Sequence, residues 1–239
     1  LAPVDDVHVR GRDATVDLAV RACFGSGQDV LDVGGGLGGS ARYLATEYGC
    51  QVTGIDLTQE YVDLATDLAQ MVGLGEAVKF HQGSALELPF PDRKFDMVWT
   101  EHAQMNIEDK VGFYGEIARV LTPGGRLAFH DIFEGTGGER RYPVPWAEDS
   151  SISSLTPLKG MRDLLESAGL LVVQWVDKRA HSQEWFEAMT ERIKVSGPPP
   201  DGLHLLTGKT AAEKFSNALM NIKEKRIVVL QGVLERSDN

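Results

Sequence analysis

The most informative stretch of this chain is Asp29-Val-Leu-Asp-Val-Gly-Gly-Gly-Leu-Gly-Gly39. Its first half, Asp29 to Val33, is a short apolar run typical of strands that are buried on both faces of a sheet. Its second half is rich in glycine, which adopts positive φ angles at little cost and lets a ligand approach the backbone. A helical pattern follows at residues 42–48. Strand, glycine loop and helix in this order are typical of the ligand-binding crevice of a doubly wound α/β sheet.

Strand and helix patterns alternate along the rest of the chain. We predict further strands at residues 51–55, 78–80, 95–99, 126–130, 170–176 and 226–235. Between them apolar residues recur at helical spacing, which predicts helices at residues 58–72, 110–121 and 158–167. This succession is typical of an α/β fold with a mostly parallel sheet covered by helices on both faces.

Two segments fall outside this alternation. Residues 134–154 form a long connection rich in glycine and proline, and connections of this length are often binding loops or lids. Residues 181–225 contain two helical patterns separated by a break at residues 197–202. We therefore expect a core at residues 1–180, a helical cap inserted at residues 181–225, and the last strand of the core sheet within residues 226–239.

The composition excludes several classes of protein. The 239 residues suit one large domain, or a domain with a small cap, and 42% of them are hydrophobic, which is ordinary for a globular core. The net charge of −11 argues against a nucleic-acid-binding surface. Cys23 and Cys50 cannot form a zinc cluster by themselves, so we expect no metal and a reducing compartment.

The sequence contains no evident membrane segment or export signal. No apolar stretch approaches the roughly 18 residues that span a bilayer, and the first residues lack the basic and apolar regions of a signal peptide. The chain does not begin with methionine, so we expect its natural N-terminus to be missing. We expect a cytoplasmic protein without a membrane or nucleic-acid partner, whose cap helices are candidates for pairing two copies in a homodimer.

The glycine loop fits two patterns. Gly34, Gly36 and Gly39 satisfy the GxGxxG pattern of dinucleotide sites. With Asp32 in front, Gly34, Gly36 and Gly38 also satisfy D-x-G-x-G-x-G. A carboxylate at Asp32 would repel a pyrophosphate and attract an ammonium group, such as that of S-adenosylmethionine. We favour this phosphate-free nucleoside, and the alternatives are an NAD(P)-dependent oxidoreductase and an unoccupied turn.

A second acid, Asp56, follows the second predicted strand. A carboxylate there can accept hydrogen bonds from both hydroxyls of a ribose, which both cofactors contain. Asp56 therefore indicates a nucleoside, and Asp32 indicates which one. Gly208-Lys209-Thr210 is similar to the end of a phosphate-binding loop, but Gly202 lies one position too early for that motif.

Several motifs together resemble the class I S-adenosylmethionine-dependent methyltransferases. They occur in family order at residues 30–44, 53–57, 83–85, 88–96 and 119–125. Within the class, Gly38-Gly-Ser-Ala-Arg-Tyr-Leu-Ala45 resembles enzymes of small molecules such as sarcosine/dimethylglycine N-methyltransferases. Tocopherol and sterol C-methyltransferases share much of that stretch. The resemblance implies a Rossmann-like, mostly parallel, seven-stranded sheet and S-adenosyl-L-methionine as cofactor.

The resemblance also implies the cofactor-binding residues. Around the methionine portion it places the glycine loop, with Gly34, Gly35, Gly36 and Gly38. For the ribose and the adenine it implies the pair Asp56 and Leu57 and the pair Ser84 and Ala85. Serine stands at position 84 where many members have aspartate, which weakens one charge-assisted bond. Thr100, Glu101 and His102 would line the site beside the sulfonium.

Methyl transfer requires alignment of acceptor, methyl carbon and sulfur, and exclusion of water. A protonated amine must also lose its proton, so a carboxylate or an imidazole nearby would help. Glu101 and His102 are the candidate catalytic residues. Alternatively, Glu101 complements a helix dipole and His102 caps or packs.

The candidate substrate residues are Asn106, His130, Tyr142 and Trp146. The aromatic side chains favour a cation or a flat ring, and Arg140-Arg141 is a candidate partner for an acceptor carboxylate. We expect a methyltransferase of a small-molecule acceptor, in the first place a sarcosine-like amine. The alternatives are a C-methyltransferase of a quinol, tocopherol or sterol-like acceptor, an oxidoreductase, and a binding domain without catalysis.

Overall fold

A single seven-stranded sheet forms the centre of the molecule in the computed structural model, which describes residue 5 and residues 8–197 and 208–237. Its strands, numbered in chain order, are β1 (Asp29–Val33), β2 (Gln51–Asp56), β3 (Val78–Gln82), β4 (Phe95–Glu101), β5 (Leu121–Glu134), β6 (Leu170–Asp177) and β7 (Ile227–Arg236). The strand order is β3-β2-β1-β4-β5-β7-β6. The predicted doubly wound sheet is thereby confirmed.

Helices cover both faces of the sheet. They are α1 (Arg12–Ala22), α2 (Gly39–Tyr48), α3 (Gln59–Met71), α4 (Lys110–Val120), α5 (Met161–Ser167), α6 (Arg179–Ser196) and α7 (Ala211–Lys223). Short 3-10 turns occur at Gln104–Asn106, Ser150–Ile152 and Gly208–Thr210.

The sheet is parallel from β3 to β5 and antiparallel beyond it. β7 lies between β5 and β6 and runs opposite to both. The order of the strands reverses where β1 lies beside β4, and the carboxyl ends of β1, β2 and β4 meet at that edge. Such a reversal leaves a crevice between the loops that follow the strands, which is where open α/β sheets bind ligands.

Alternation along the central strand builds a core on each face of the sheet. Leu31 of β1 belongs to a buried cluster with Phe113 of α4. Val30 faces the other side and belongs to a cluster with Leu18 of α1 and Leu44 of α2. All five are fully buried, and truncating such a side chain typically costs about 2–5 kcal/mol. The two cores fix β1 and therefore the start of the glycine loop.

A third cluster joins α6 and α7 to the sheet. Phe186 of α6 and Phe215 of α7 pack with Ile132 of β5 and Val229 of β7. The predicted boundary after residue 180 falls inside α6, because this helix begins at Arg179. The proposed separation of a cap from the core stays a prediction.

The break predicted at residues 197–202 lies almost entirely outside the described residues. Within the described part of the chain, no helix combines the length and apolar character that crossing a membrane requires.

Candidate functional site

A cavity of about 1040 Å³ opens at the carboxyl ends of β1, β2 and β4. This volume lies at the upper end of the roughly 300–1,000 Å³ that is usual for ligand pockets. One half is lined by the glycine loop, the end of β2 and the segment after β3. The other half is lined by the segment after β4, the long connection after β5, and helices α6 and α7. The cavity therefore has room for two molecules side by side.

The glycine loop presents its backbone to the cavity. Gly34 and Gly36 both line it, and both have positive φ angles, 75° and 51°. A Cβ at Gly36 would meet no atom within 4 Å, so the space above this residue is open to a ligand. The amide of Gly34 donates to the carbonyl oxygen of Ile55, 2.8 Å away, which anchors the loop on β2.

Asp56 connects the glycine loop to the start of α3. One carboxylate oxygen, Oδ2, accepts from the amide of Gly36 at 3.0 Å, and Oδ1 accepts from the amide of Thr58 at 2.9 Å. Each oxygen can accept a further hydrogen bond, and the residue lines the cavity. Leu57, which is 71% exposed, lies beside it. This wall therefore offers two acceptors next to an apolar surface.

The segment after β3 completes this wall with Ser84 and Ala85. The hydroxyl of Ser84 accepts from the amide of Leu86 at 3.1 Å. The four residues predicted from the resemblance for a nucleoside, Asp56, Leu57, Ser84 and Ala85, therefore lie together on one surface of the cavity. Their binding role stays a prediction.

The amino end of α2 is covered by Asp5. A Cβ at Gly39 would lie only 2.5 Å from the carbonyl oxygen of Asp5. The carboxylate of Asp5 also accepts from the guanidinium of Arg42 at 2.6 Å. A dinucleotide normally places its pyrophosphate on this helix end. The covered helix end disfavours that mode of binding.

Asp32 is not on the cavity surface, which corrects the expectation that its carboxylate meets the ligand directly. It is 2% exposed, lies behind the loop against Gly35, and its Oδ2 has no hydrogen-bond partner among the described residues. Burial, reinforced by the negative charges of Glu101 and Asp56, raises the pKa of Asp32 to about 8. The side chain is therefore mostly protonated at neutral pH.

Glu101 is the acid that lines this part of the cavity. Its carboxylate accepts from the hydroxyl of Ser40 at 2.6 Å, the indole of Trp99 at 3.0 Å and the hydroxyl of Thr15 at 3.2 Å. The imidazole of His8 lies 3.3 Å away. Burial acts to raise the pKa of Glu101, but His8 and the other donors outweigh it and lower the value to about 2. Glu101 is therefore a fixed anion, which is a poor proton acceptor.

His102 lines the cavity in an unusual backbone conformation. Its φ angle is 55°, which is uncommon for a residue other than glycine. Its Nε2 is buried and has no hydrogen-bond partner among the described residues. Burial, together with the nearby rings of His130 and His8, lowers the pKa of His102 well below 6.5. At neutral pH its imidazole is therefore uncharged. Its lone pair is available to a proton, but the lowered pKa makes it a weaker base than an exposed histidine.

Aromatic side chains form the far half of the cavity. Trp146 belongs to the long connection, Trp185 and Phe186 to α6, and Phe215 to α7. Asn106 holds the connection in place, because its Nδ2 donates to the carbonyl oxygens of Trp146 and Ile152. Among the described residues that line the cavity, none is a lysine or an arginine. This half therefore suits an apolar or ring-bearing molecule without a negative charge.

Besides Asp32, five predicted residues do not line the cavity: Gly35, Gly38, Thr100, His130 and Tyr142. Gly35 lies against Asp32 and Gly38 against Phe80, and Thr100 precedes Glu101 on β4, with its hydroxyl buried. His130 is fully buried, with Nε2 3.0 Å from the carbonyl oxygen of Val9.

The predicted basic pair lies away from the cavity too. Tyr142 accepts from Arg140 at 3.1 Å, and Arg140 also lies 3.6 Å from Glu134. Arg141 forms an ion pair with Glu224 at 2.8 Å. Neither arginine lines the cavity, so neither is placed to bind an acceptor carboxylate there.

Sequence reasoning missed the lining residues that come from distant parts of the chain. His8 and Val9 precede α1, whereas Trp185, Phe186 and Phe215 lie in α6 and α7. The adjacent aromatic pair of α6 was the one available signal, and it is equally typical of a packed core. Within the described residues, no group of three or more His, Cys, Asp or Glu side chains is placed to hold a metal ion.

Comparison with known proteins identifies a methyltransferase domain at residues 31–129. Methyltransferase GfsG of Streptomyces halstedii is 33% identical over 198 residues, which are 82% of this chain and 67% of that protein. The 2-methyl-6-phytyl-1,4-hydroquinone methyltransferase of Synechocystis sp. is 36% identical over 70% of this chain and 52% of its own length. The Arabidopsis thaliana tocopherol O-methyltransferase is 43% identical over 41% and 28%. The chain thus spans about half or less of the length of the last two relatives.

Solved structures share the fold over nearly the whole chain. The phosphoethanolamine N-methyltransferase 2 of Haemonchus contortus, in complex with S-adenosyl-L-methionine, superposes with a TM-score of 0.81 at 19% identity, covering 98% of this chain and 54% of that one. The [4+2]-cyclase SpnF has a TM-score of 0.75 at 24% identity, covering 95% and 81%. At these identities the likeness is evidence for the fold alone.

Proposed function

Because this chain belongs to the methyltransferase family, we propose that it methylates an apolar, ring-bearing small molecule, of the phenol or hydroquinone type, with S-adenosylmethionine as donor. The observation that carries the proposal is the make-up of the cavity. A wall with two free acceptor positions on Asp56 lies at one end, and an aromatic wall lies at the other, with no lysine or arginine among the described lining residues. The uncharged imidazole of His102 also lines the cavity.

The residues present fit the donor. Asp56 would hold the ribose hydroxyls, Leu57 would flank the adenine, and Ser84 and Ala85 would bind its edge. The open backbone above Gly36 leaves space for the methionine portion. When bound, S-adenosylmethionine supplies a methyl group on a sulfonium, which a nucleophile displaces in line.

His102 would remove the proton of the acceptor hydroxyl. A phenol is a weak nucleophile until it loses this proton, and the resulting phenolate is nucleophilic at oxygen and at ring carbons. General base catalysis of this kind is worth roughly 10²–10⁴-fold in rate.

The aromatic half would hold the acceptor ring and keep water away from the reacting atoms. Trp146, Trp185, Phe186 and Phe215 are large and weakly hydrated, and such side chains dominate the binding of flat apolar ligands. The absence of lysine and arginine from the described lining disfavours a sarcosine-like acceptor, because its carboxylate would have no counter-charge there. This choice puts the alternative acceptor of the sequence analysis ahead of the amine.

A second candidate is an amine without a carboxylate. Glu108 and Asp109 also line the cavity, and aromatic walls stabilise cations.

A cytoplasmic location and a homodimeric state stay predictions.

The test is transfer of labelled methyl from S-adenosylmethionine to a panel of hydroquinones, alkylphenols, apolar amines and sarcosine. We expect turnover with a hydroquinone or phenol and none with sarcosine. Turnover with sarcosine alone would contradict the proposed acceptor, and binding of the donor without transfer to any acceptor would favour a protein that keeps the fold for other chemistry.

A further inference from the structure

Three consecutive backbone amides after β4 are held by two consecutive residues of β5. The amide of His102 donates to the carbonyl oxygen of His130 at 2.8 Å. The amides of Ala103 and Gln104 donate to Oδ2 of Asp131, at 3.1 and 3.0 Å. Hydrogen bonds to β5 therefore fix the path of the chain where it leaves β4 and enters the cavity wall.

Asp131 is fully buried, and both of its carboxylate oxygens accept hydrogen bonds. Oδ1 accepts from the amide of Ile132 at 2.7 Å and lies 3.3 Å from Nε2 of Gln104. Nε2 of Gln104 also donates to the carbonyl oxygen of Ile132 at 2.9 Å. Burying a carboxylate costs free energy unless several donors form hydrogen bonds to it, as they do here.

The segment held by Asp131 carries much of the cavity wall. His102, Met105, Asn106 and Ile107 all line the cavity. The φ angle of 55° at His102 belongs to a region that is strained for a residue with a side chain, and such conformations persist where the surroundings over-determine them. Close packing adds to the constraint, since a Cβ at Gly34 would lie 2.7 Å from Cβ of Ala103.

We infer that Asp131 is a positioning residue for the reaction: it fixes the left-handed turn at His102 and thereby directs this imidazole at the acceptor. This inference rests on the proposed function for its catalytic consequence, whereas its structural part concerns the ligand-free protein. Asp131 touches neither the acceptor nor the donor, because it does not line the cavity.

The test is the isosteric substitution Asp131→Asn, which leaves one acceptor where two oxygens now serve four donors. We expect kcat to fall about tenfold or more while the Kd for S-adenosylhomocysteine stays within threefold. In the ligand-free protein, the ring NMR signals of His102, assigned with a His102→Gln variant, should shift. Those of His81, which is exposed on β3, should not.

The matched control is Asp149→Asn. Asp149 is exposed and accepts from the amide of Ser151 at 2.8 Å, so the same carboxylate is lost from a turn outside the cavity wall. If Asp131→Asn does not fold, Gln104→Met removes only the side-chain bonds of residue 104 and should shift the His102 signals in the same way.

Unchanged His102 signals together with kcat within twofold of the wild type would overturn the inference. An equal loss of kcat and of cofactor affinity would also overturn it, because that pattern indicates general destabilisation. A shift of the His102 signals in a protein that transfers no methyl group would refute the proposed function and leave the structural part of the inference standing.

Discussion

Replacing Asp56 by alanine tests how the cavity holds a nucleoside. A ribose that donates two hydrogen bonds to this carboxylate would lose both, and a hydrogen bond to a charged group contributes about 1.5–3 kcal/mol. The combined loss is at least about 3 kcal/mol, which corresponds to a roughly hundredfold increase in Kd. Asp56 also anchors the amides of Gly36 and Thr58, so the glycine loop loses one of its attachments as well.

The assay is isothermal titration calorimetry with S-adenosylhomocysteine. Asp56→Asn retains one carbonyl acceptor and should weaken binding by about tenfold. Asp63→Ala is the control for charge, since its carboxylate accepts only from Gln59 at 2.7 Å among the hydrogen bonds of the described residues and lies on the exposed side of α3. Asp56→Ala with a Kd within threefold of the wild type and an unchanged Tm would refute this account of the ribose site.

Three further predictions concern other residues of the cavity and the buried acid behind the glycine loop. His102→Gln should reduce kcat by about a hundredfold and leave the Kd for S-adenosylhomocysteine within threefold; full turnover would remove His102 from the chemistry. Trp185→Ala should raise the KM for the acceptor about tenfold without raising the Kd for the methyl donor. The control Val195→Ala, at a residue of the same helix that is 76% exposed, should change neither constant. Because burial raises the pKa of Asp32 to about 8, above its unfolded value of 3.8, the ligand-free wild type should lose stability relative to Asp32→Asn as pH rises from 4 to 8, by about 5 kcal/mol. Urea unfolding at both pH values measures this, and a difference that does not change with pH would contradict the assigned protonation.

Local patterns predicted the sheet well because each strand carries its own signal. The bounds of β1 match the prediction, since an apolar run that ends in glycine has few other conformations. β5 extends past the predicted end at His130 to Glu134. Its extension pairs with β7, a partner almost a hundred residues away in the sequence that no local pattern reveals.

The cavity position of Asp56 and Ser84 was predictable, and that of most residues in the aromatic half was not. Asp56 and Ser84 follow strand ends, and parallel strands bring their carboxyl ends to one edge. Asp32 follows the same rule, but its position on β1 directs it behind the loop. His8 and Phe215 reach the cavity through tertiary packing of the N-terminal segment and α7. The residues adjacent to them in the sequence do not indicate this packing.

The electrostatic roles of the acids also required the structure. Glu101 and Asp32 are both buried carboxylates. The first has donors from α1, α2, β4 and the N-terminal segment, whereas Oδ2 of the second has no partner among the described residues. Opposite pKa shifts follow from this difference in hydrogen bonding, and sequence spacing contains no information about it.

Equilibrium binding of S-adenosylhomocysteine and of NAD to the same preparation tests the central claim most directly. The covered end of α2 and the Asp56 wall predict saturable binding of S-adenosylhomocysteine and no measurable binding of NAD. Tight binding of NAD with no affinity for S-adenosylhomocysteine would contradict the account.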